Sequence, residues 1–410
     1  MNVNFAGGNE SFLALFNPRS VAVIGASKNP RKMGHQCLLS LRDMGYPGPV
    51  YPIHPQEKEI LGFPVHPHLN RVGGEVDLAI LTVPAAGALA ALVACREKGV
   101  KGAVVITAGF REVEDPGGAD LQERMAEVAS KGGIRIIGPN TFGMVNVQAR
   151  LNASFTPIFS RLKAGKISVV SQSGGVSHLI GYQAIDEGVG LAKVIGLGNR
   201  CNVDFADLLP FLAGDEDTRS LILFIEGQDD PRSLIRALRA FTPRKPVVAM
   251  KAGKSAASLK AARSHTGSLA GRSEIYEAAL RQAGAVVVQD PGELLDTAKI
   301  LSLMAPPAGR KVAVLSFQAG PGILLTDEVE RNGLAMAEFS SPTQERLNRI
   351  LPPLTIRTNP VDLAFARDER AFEEIVRLIL AEENVDALVV FLLHHPFMTP
   401  RRIKGPLLRQ

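Results

Sequence analysis

Short apolar runs alternate along most of the chain with stretches whose apolar residues recur at helical spacing. In the first third the runs are SVAVIG, VYPIH, VDLAILTVP, GAVVITAG and IRIIGPN, separated by amphipathic stretches such as GALAALVACREKG and ADLQERMAEVASKG. A strand buried on both faces is apolar throughout, whereas the helix covering it needs only one apolar stripe. The pattern therefore predicts an α/β protein of parallel sheets covered by helices, opening with a doubly wound, Rossmann-like domain over residues 1–147.

A second series follows: GKISVVSQSGG, LAKVIGLGN, SLILFIEG, PVVAMKAG and AVVVQD, with helices expected in DPRSLIRALRAF and EIYEAALRQAG. Five strands of this kind predict a flavodoxin-like domain over residues 148–306, with sites expected where strands end. LMAPPAGRK reads as a linker. A second flavodoxin-like unit, residues 307–410, begins at KVAVLSFQAGPGILLTDEVERNG and includes VDALVVFLL. That unit is expected to be incomplete within the chain. VVSQSGGV and VLSFQAGPGI echo each other, each placing a strand, a serine and a small-residue turn before a helix.

Composition narrows the partners. Across 410 residues only 5% are aromatic and none is tryptophan, which argues against stacking platforms for single-stranded nucleic acid. A net charge of +5 without a basic block reads as an ordinary, slightly basic soluble protein rather than a nucleic-acid binder, and a polyanionic small ligand would also fit. Cys37, Cys95 and Cys201 have no metal-ligand spacing and are expected to be buried thiols. No apolar run is long enough to span a bilayer, and the start has no signal-peptide pattern, so a cytoplasmic protein without membrane contact is expected.

The chemistry concentrates in glycine turns. In VAVIGASKNPRKMG, Gly25 stands at the exit of the first strand, but the dinucleotide glycine spacing is missing. The second strand ends in His54 and Pro55 rather than an acid, which disfavours NAD. Lys28, Arg31 and Lys32 could pair with phosphates, although a basic solvated turn is also open. SQSGGV offers the hydroxyls of Ser171 and Ser173 and the amides of Gly174 and Gly175 ahead of an apolar helix, as an anion site requires. QAGPGI, with Gly320 and Gly322, is a second candidate. Glu226 ends the apolar strand LILFIEG, and His265 stands among small and hydroxylic residues in AARSHTGSLAG. A carboxylate meeting that imidazole would set its tautomer and leave one nitrogen nucleophilic. On spacing alone Glu226 reads equally well as a solvated strand end.

The succession SVAVIGAS, LTVP, ITAGFRE, GPNTFG, SQSGG, IGLGN, FIEG, KAGKS, SHTGSLAG and NPVDL resembles the NDP-forming acyl-CoA synthetases, in particular alpha subunits of the ADP-forming acetyl-CoA synthetase type, which are similar to succinyl-CoA synthetase. The resemblance covers nearly the whole chain. It implies that acyl-CoA and phosphate give acyl phosphate and CoA, that the phosphoryl group passes to His265, and that ADP then receives it. It makes Glu226 the carboxylate that orients His265, and Ser173–Gly175 and Gly320–Gly322 the two helix ends that hold the phosphoryl group. It places Gly25, Ser27, Lys32, Val83, Pro84, Thr107, Ala108 and Asn140 at the coenzyme A site. It also implies a small carboxylic acid as substrate, an oligomer, and an ATP-grasp partner chain or domain that binds ADP or ATP with Mg. The chain departs from the pattern at Gln56, where a lysine is usual, and at Ala319, often a glycine. Two other functions stay open: a CoA-sensing module without catalysis, which the intact SHTGSLAG disfavours, and an NAD-dependent oxidoreductase.

Overall fold

A computed structural model describes residues 9–113, 116–255, 272–363 and 369–392. The chain divides into two compact units, Met1–Met304 and Ala305–Gln410.

Among the described residues the first unit contains two large sheets, one parallel and one mixed, beside a small two-stranded hairpin. In the first, β1 (Val21–Ile24), β2 (Val50–Ile53), β3 (Leu78–Leu81), β4 (Gly102–Val105) and β5 (Arg135–Ile137) lie in the order β2-β1-β3-β4-β5. This is a doubly wound order, and every strand end that carries a predicted CoA residue falls on its carboxyl edge. Helices α1 (Asn9–Phe16), α2 (Met33–Met44), α3 (Ala85–Lys98) and α4 (Pro116–Gly132) belong to this part of the chain.

The hand-over to the second sheet begins before Val147. A hairpin absent from the sequence reading, β6 (Gly143–Asn146) and β7 (Leu151–Ser154), joins the second sheet, where β6 runs antiparallel to its neighbour. That sheet continues with β8 (Ala164–Ser171), β9 (Leu191–Gly196), β10 (Ser220–Ile225), β11 (Val247–Lys251) and β12 (Val286–Val287), in the order β12-β11-β10-β8-β9-β6-β7. The five parallel strands alone have the flavodoxin arrangement, with the order reversing between β8 and β10. Helices α5 (Gly174–Glu187), α6 (Phe205–Gly214), α7 (Pro231–Phe241), α8 (Ser273–Gln282) and α9 (Pro291–Leu303) accompany it.

Alternation along the strands explains why the two sheets form one unit. Val21 and Val23 of β1 share a buried cluster with Leu221, Leu223 and Ile225 of β10, while Ala22 and Ile24 point into a separate cluster on the opposite face. One core thus spans both sheets. Side chains also replace missing strand partners. Asn202 accepts from the Ile136 amide at 2.8 Å and donates to the Ile134 carbonyl at 2.7 Å, covering the open edge of β5.

In the second unit, β13 (Lys311–Ser316) pairs in parallel with β14 (Ala335–Met336), β15 (Val361–Asp362) and β16 (Ala387–Phe391). Helices α10 (Ala319–Arg331), α11 (Ser341–Ile350) and α12 (Glu369–Leu380) accompany them. The Asn359 amide donates to the Val312 and Ala337 carbonyls at 2.8 and 2.9 Å and accepts from the Val314 amide at 2.8 Å. The motif NPVDL therefore begins with a side chain that stitches backbone together.

Cys37 and Cys95 are buried, and burial pushes the Cys95 thiol up to about 12. Cys201, expected to be buried, is partly exposed. No described helix is long and apolar enough to cross a membrane.

Candidate active site

The carboxyl edges of β1, β3 and β4 carry most of the predicted CoA residues. Gly25 follows β1 with φ +93, and a Cβ there would stand 2.8 Å from Thr82 Oγ1. The turn closes tightly because Gly34, in the first turn of α2, packs on the Gly25 carbonyl: an added Cβ would lie only 2.1 Å from that oxygen. Ser27 accepts from the Asn29 amide at 3.1 Å, and Lys32 is the N-cap of α2 without a side-chain cap bond. Lys28 is held in an ion pair with Glu57 at 2.7 Å. Val83 and Pro84 follow β3, and Pro84 is the N-cap of α3. Thr107 links the neighbouring loops: its hydroxyl donates to the Val83 carbonyl at 2.6 Å, and its carbonyl accepts from the Asn140 amide at 2.9 Å. His54, at the end of β2, accepts through Nδ1 from the amides of Gln56 and Glu57, both at 3.2 Å. The ring thus shapes the turn, and the acid in it, Glu57, is the ion-pair partner of Lys28.

On the second sheet, Ser171 ends β8 and Ser173 caps α5. Ser173 Oγ accepts from the Val176 amide at 3.4 Å, which leaves the first helical amides, Gly174 and Gly175, without intrahelical acceptors. A Cβ at Gly174 would approach nothing nearer than 3.8 Å, and the same holds at Gly175. The fold itself does not require glycine at either position, in contrast to Gly25. The bare amides are open to a ligand approaching the positive end of the helix. Ser171 differs from its expected role. It is fully buried, and its hydroxyl donates to the Ser173 carbonyl at 2.8 Å while accepting from the Ser173 amide at 3.1 Å. Ser171 builds the turn rather than lining the cleft.

That turn opens on a cleft of about 310 Å³, lined by Ala108, Asn140, Ser173, Gly174, Gly175 and Asn199 among others. Two loops of the first sheet and the N-terminus of α5 therefore meet in one cavity. Asn140, at φ +57, donates to Asn199 Oδ1 at 3.3 Å, and Asn199 in turn donates to Glu112 and, at 3.1 Å, to Gln122. Burial pushes the Glu112 carboxyl up, but hydrogen bonds from the Gly109 amide, Asn199 and the Phe110 amide outweigh it, so the carboxyl sits below its ordinary range. Asn199 lines the cleft and Glu112 holds that side chain in place; sequence reasoning missed both, although ITAGFRE and IGLGN mark their loops.

His178, also unassigned from sequence, lines the same cleft. Its Nδ1 lies 2.6 Å from the Gly174 carbonyl, which can only accept, so that nitrogen carries hydrogen. Its Nε2 lies 2.8 Å from the Thr156 hydroxyl, and the rings of Phe142, Phe159 and Tyr182 surround it. Both nitrogens are engaged and the ring is fixed, which suits a scaffold and not a nucleophile.

Glu226 follows β10 and is 9% exposed. Gln172 joins this strand end to the α5 turn: its Oε1 accepts from the Glu226 amide at 2.6 Å, and its Nε2 donates to the Gly227 carbonyl at 2.8 Å. One strand over, Lys251 is fully buried and donates from Nζ to the Glu226 carbonyl at 2.9 Å. Burial pushes the Lys251 amine below its ordinary value, while the Glu226 charge acts in the opposite direction. His265 lies outside the described residues.

Gly320 and Gly322 belong to the second unit. There Ser316 ends β13 and repeats the device of Ser171: its hydroxyl donates to the Gln318 carbonyl at 2.6 Å and accepts from the Gln318 amide at 3.3 Å. The N-cap Gln318 of α10 makes no side-chain cap bond, and a Cβ at Gly320 would meet nothing within 4 Å. The sequence echo is thus a repeated hydrogen-bond pattern.

Three family models match in succession: a CoA binding domain at residues 19–146, a succinyl-CoA ligase like flavodoxin domain at 164–301 and a ligase-CoA domain at 312–408. The chain is 41% identical over 387 residues to the alpha subunit of acetate–CoA ligase (ADP-forming) II of Pyrococcus furiosus, an alignment spanning 94% of this chain and 83% of that one. The chain belongs to the ADP-forming acetate–CoA ligase family. The acetate–CoA ligase (ADP-forming) I of Archaeoglobus fulgidus is 39% identical over 92% of this chain, which spans only 54% of that longer protein. Among solved structures, acetyl-coenzyme A synthetase 1 of Ca. Korarchaeum cryptofilum, in complex with phosphate and ADP, superimposes with a TM-score of 0.89 at 32% identity, covering 98% of this chain and 86% of that one. Family membership removes the oxidoreductase reading and gives the observed CoA-domain loops and the α5 turn a common context.

Proposed function

We propose that the chain is the alpha-type component of an ADP-forming acid–CoA ligase, interconverting acyl-CoA, phosphate and ADP with acid, CoA and ATP. The observation that carries the reading is the cleft in which the bare amides of Gly174 and Gly175 meet Asn140 and Ala108 of the CoA-domain loops. CoA would lie along the turns at Gly25, Ser27, Lys32, Val83, Pro84 and Thr107, with its thioester at the cleft. Phosphate held by the α5 N-terminus attacks the thioester carbonyl: a C–O bond forms, the C–S bond breaks and CoA leaves as the thiol after protonation. A nitrogen of His265 then attacks phosphorus, and the carboxylate departs as the free acid. Finally a β-phosphate oxygen of ADP displaces the imidazole and forms ATP.

Glu226 would orient the imidazole, and the turn at Ser173–Gly175, with the bare amides of Gly174 and Gly175, would hold the phosphoryl dianion. ADP or ATP with Mg would bind an ATP-grasp subunit or domain outside this chain. The "subunit alpha" in the names of the Pyrococcus relatives supports such an assembly.

The test is labelling with radioactive phosphate in the presence of acetyl-CoA. His265→Ala abolishes acid-labile incorporation while leaving CoA affinity within about twofold. A variant that still forms an acid-labile phosphoprotein would remove His265 from the mechanism.

A further inference from the structure

Resting on the phosphohistidine reading, we infer that Lys251 is a positioning residue for phosphoryl transfer: its buried ammonium fixes the backbone at Glu226 and joins the chain segments on either side of residues 256–271. Lys251 ends β11, in parallel register with Ile225 of β10. Its side chain is 0% exposed. The ammonium donates to the Glu226 carbonyl at 2.9 Å and to the Ala252 carbonyl, and stands 5.1 Å from the centre of the Tyr276 ring. Tyr276 lies in the first turns of α8, immediately beyond residues 256–271, and Lys251 lies immediately before them. One side chain therefore touches the strand end that carries Glu226, the chain leading into the SHTGSLAG segment and the helix that follows it.

A methionine would fill the same volume without the large desolvation cost of a buried charge. What the ammonium adds is direction: donors aimed at two carbonyls, and a charge placed over a ring. The Gln172 amide holds the other side of the same strand end through the Glu226 and Gly227 amides and the Gly227 carbonyl. Glu226 is thus held from two sides, by the α5 turn and by β11. A carboxylate that must orient an imidazole needs this, because displacements of about 1 Å at a reacting centre cost on the order of 100-fold in rate.

The experiment compares wild type, Lys251→Met, Lys251→Arg, Tyr276→Leu and His265→Ala as full chains with the nucleotide-binding partner. The readouts are single-turnover phosphoprotein formation from acetyl-CoA and labelled phosphate, CoA affinity, and the KM for phosphate. Lys251→Met is expected to slow phosphoprotein formation roughly 10- to 100-fold, with CoA affinity and KM for phosphate within about twofold. Tyr276→Leu, which keeps the ammonium, slows it less, and Lys251→Arg recovers part of the loss.

Wild-type phosphorylation in Lys251→Met would overturn the proposal, as would an equal loss of CoA binding in a variant that still melts cooperatively. If Lys251→Met does not fold, Tyr276→Leu decides: slower phosphoprotein formation at unchanged CoA affinity supports the proposal, and a wild-type rate overturns it. Label that persists in His265→Ala identifies failure of the phosphohistidine reading itself, separately from any effect at Lys251.

Discussion

Gly25 and Gly175 show how one residue type serves two ends. Gly25 adopts φ +93 with Thr82 and Val83 pressed against it, whereas a methyl group on Gly175 would make only an ordinary contact at 3.8 Å. Gly25→Ala is expected to destabilise the protein by about 1–2 kcal/mol, the cost of a side chain in left-handed backbone. Gly175→Ala leaves the melting temperature unchanged or slightly higher, because alanine favours the helix. It raises the KM for phosphate roughly tenfold by intruding on an amide donor, a modest share of what such donors contribute. Thermal melts paired with steady-state kinetics check both variants. Equal effects of the two substitutions on stability would contradict the distinction. Sequence marked both glycines but gave no means of telling a steric requirement from a ligand requirement, since each is a small residue after an apolar strand.

Strand-to-helix turns are the elements that carry the chemistry, and their rigidity comes from side chains bonding backbone. Ser171 and Ser316 each close such a turn, and Glu112 closes the one after β4 by accepting the Gly109 and Phe110 amides. Because the folded Glu112 carboxyl lies below its ordinary value of 4.5, its ionised form is the one that native structure favours. The stability it contributes is full above the unfolded value and is lost as pH falls through the folded value. The difference in stability between wild type and Glu112→Gln is therefore expected to be largest near neutrality and to shrink below about pH 4. Denaturant melts across that range measure it, and a difference growing on acidification would reverse the sign. ITAGFRE was legible as a landmark, but Glu112's hold on Asn199 was not. The two residues are 87 positions apart and meet only when the loops of both sheets fold together.

In the first unit one apolar cluster serves the sheets on both sides of Val147. The core cluster containing Val21 of β1 also contains Leu221 of β10, and a cut at Val147 divides the hairpin of β6 and β7. A fragment ending at Met304 is expected to melt in one cooperative transition and to retain CoA binding. One ending at Val147 exposes apolar surface and aggregates. Two separated transitions in the longer fragment, or a soluble, CoA-binding shorter one, would show independent domains instead.

The sequence by itself determined the layers and most of the strand ends, because alternating burial must be written into the order of apolar and polar residues. It also placed nearly every candidate residue at a carboxyl edge, where glycines and polar side chains interrupt apolar runs. Only the tertiary structure decided which edges share a cleft, that Ser171 turns inward, that His178 is clamped at both nitrogens and that Lys251 lies behind Glu226. Strands buried on both faces carry no code for their neighbours, so register and pairing emerge from long-range packing. The joining of one loop's chemistry to another's follows from that packing.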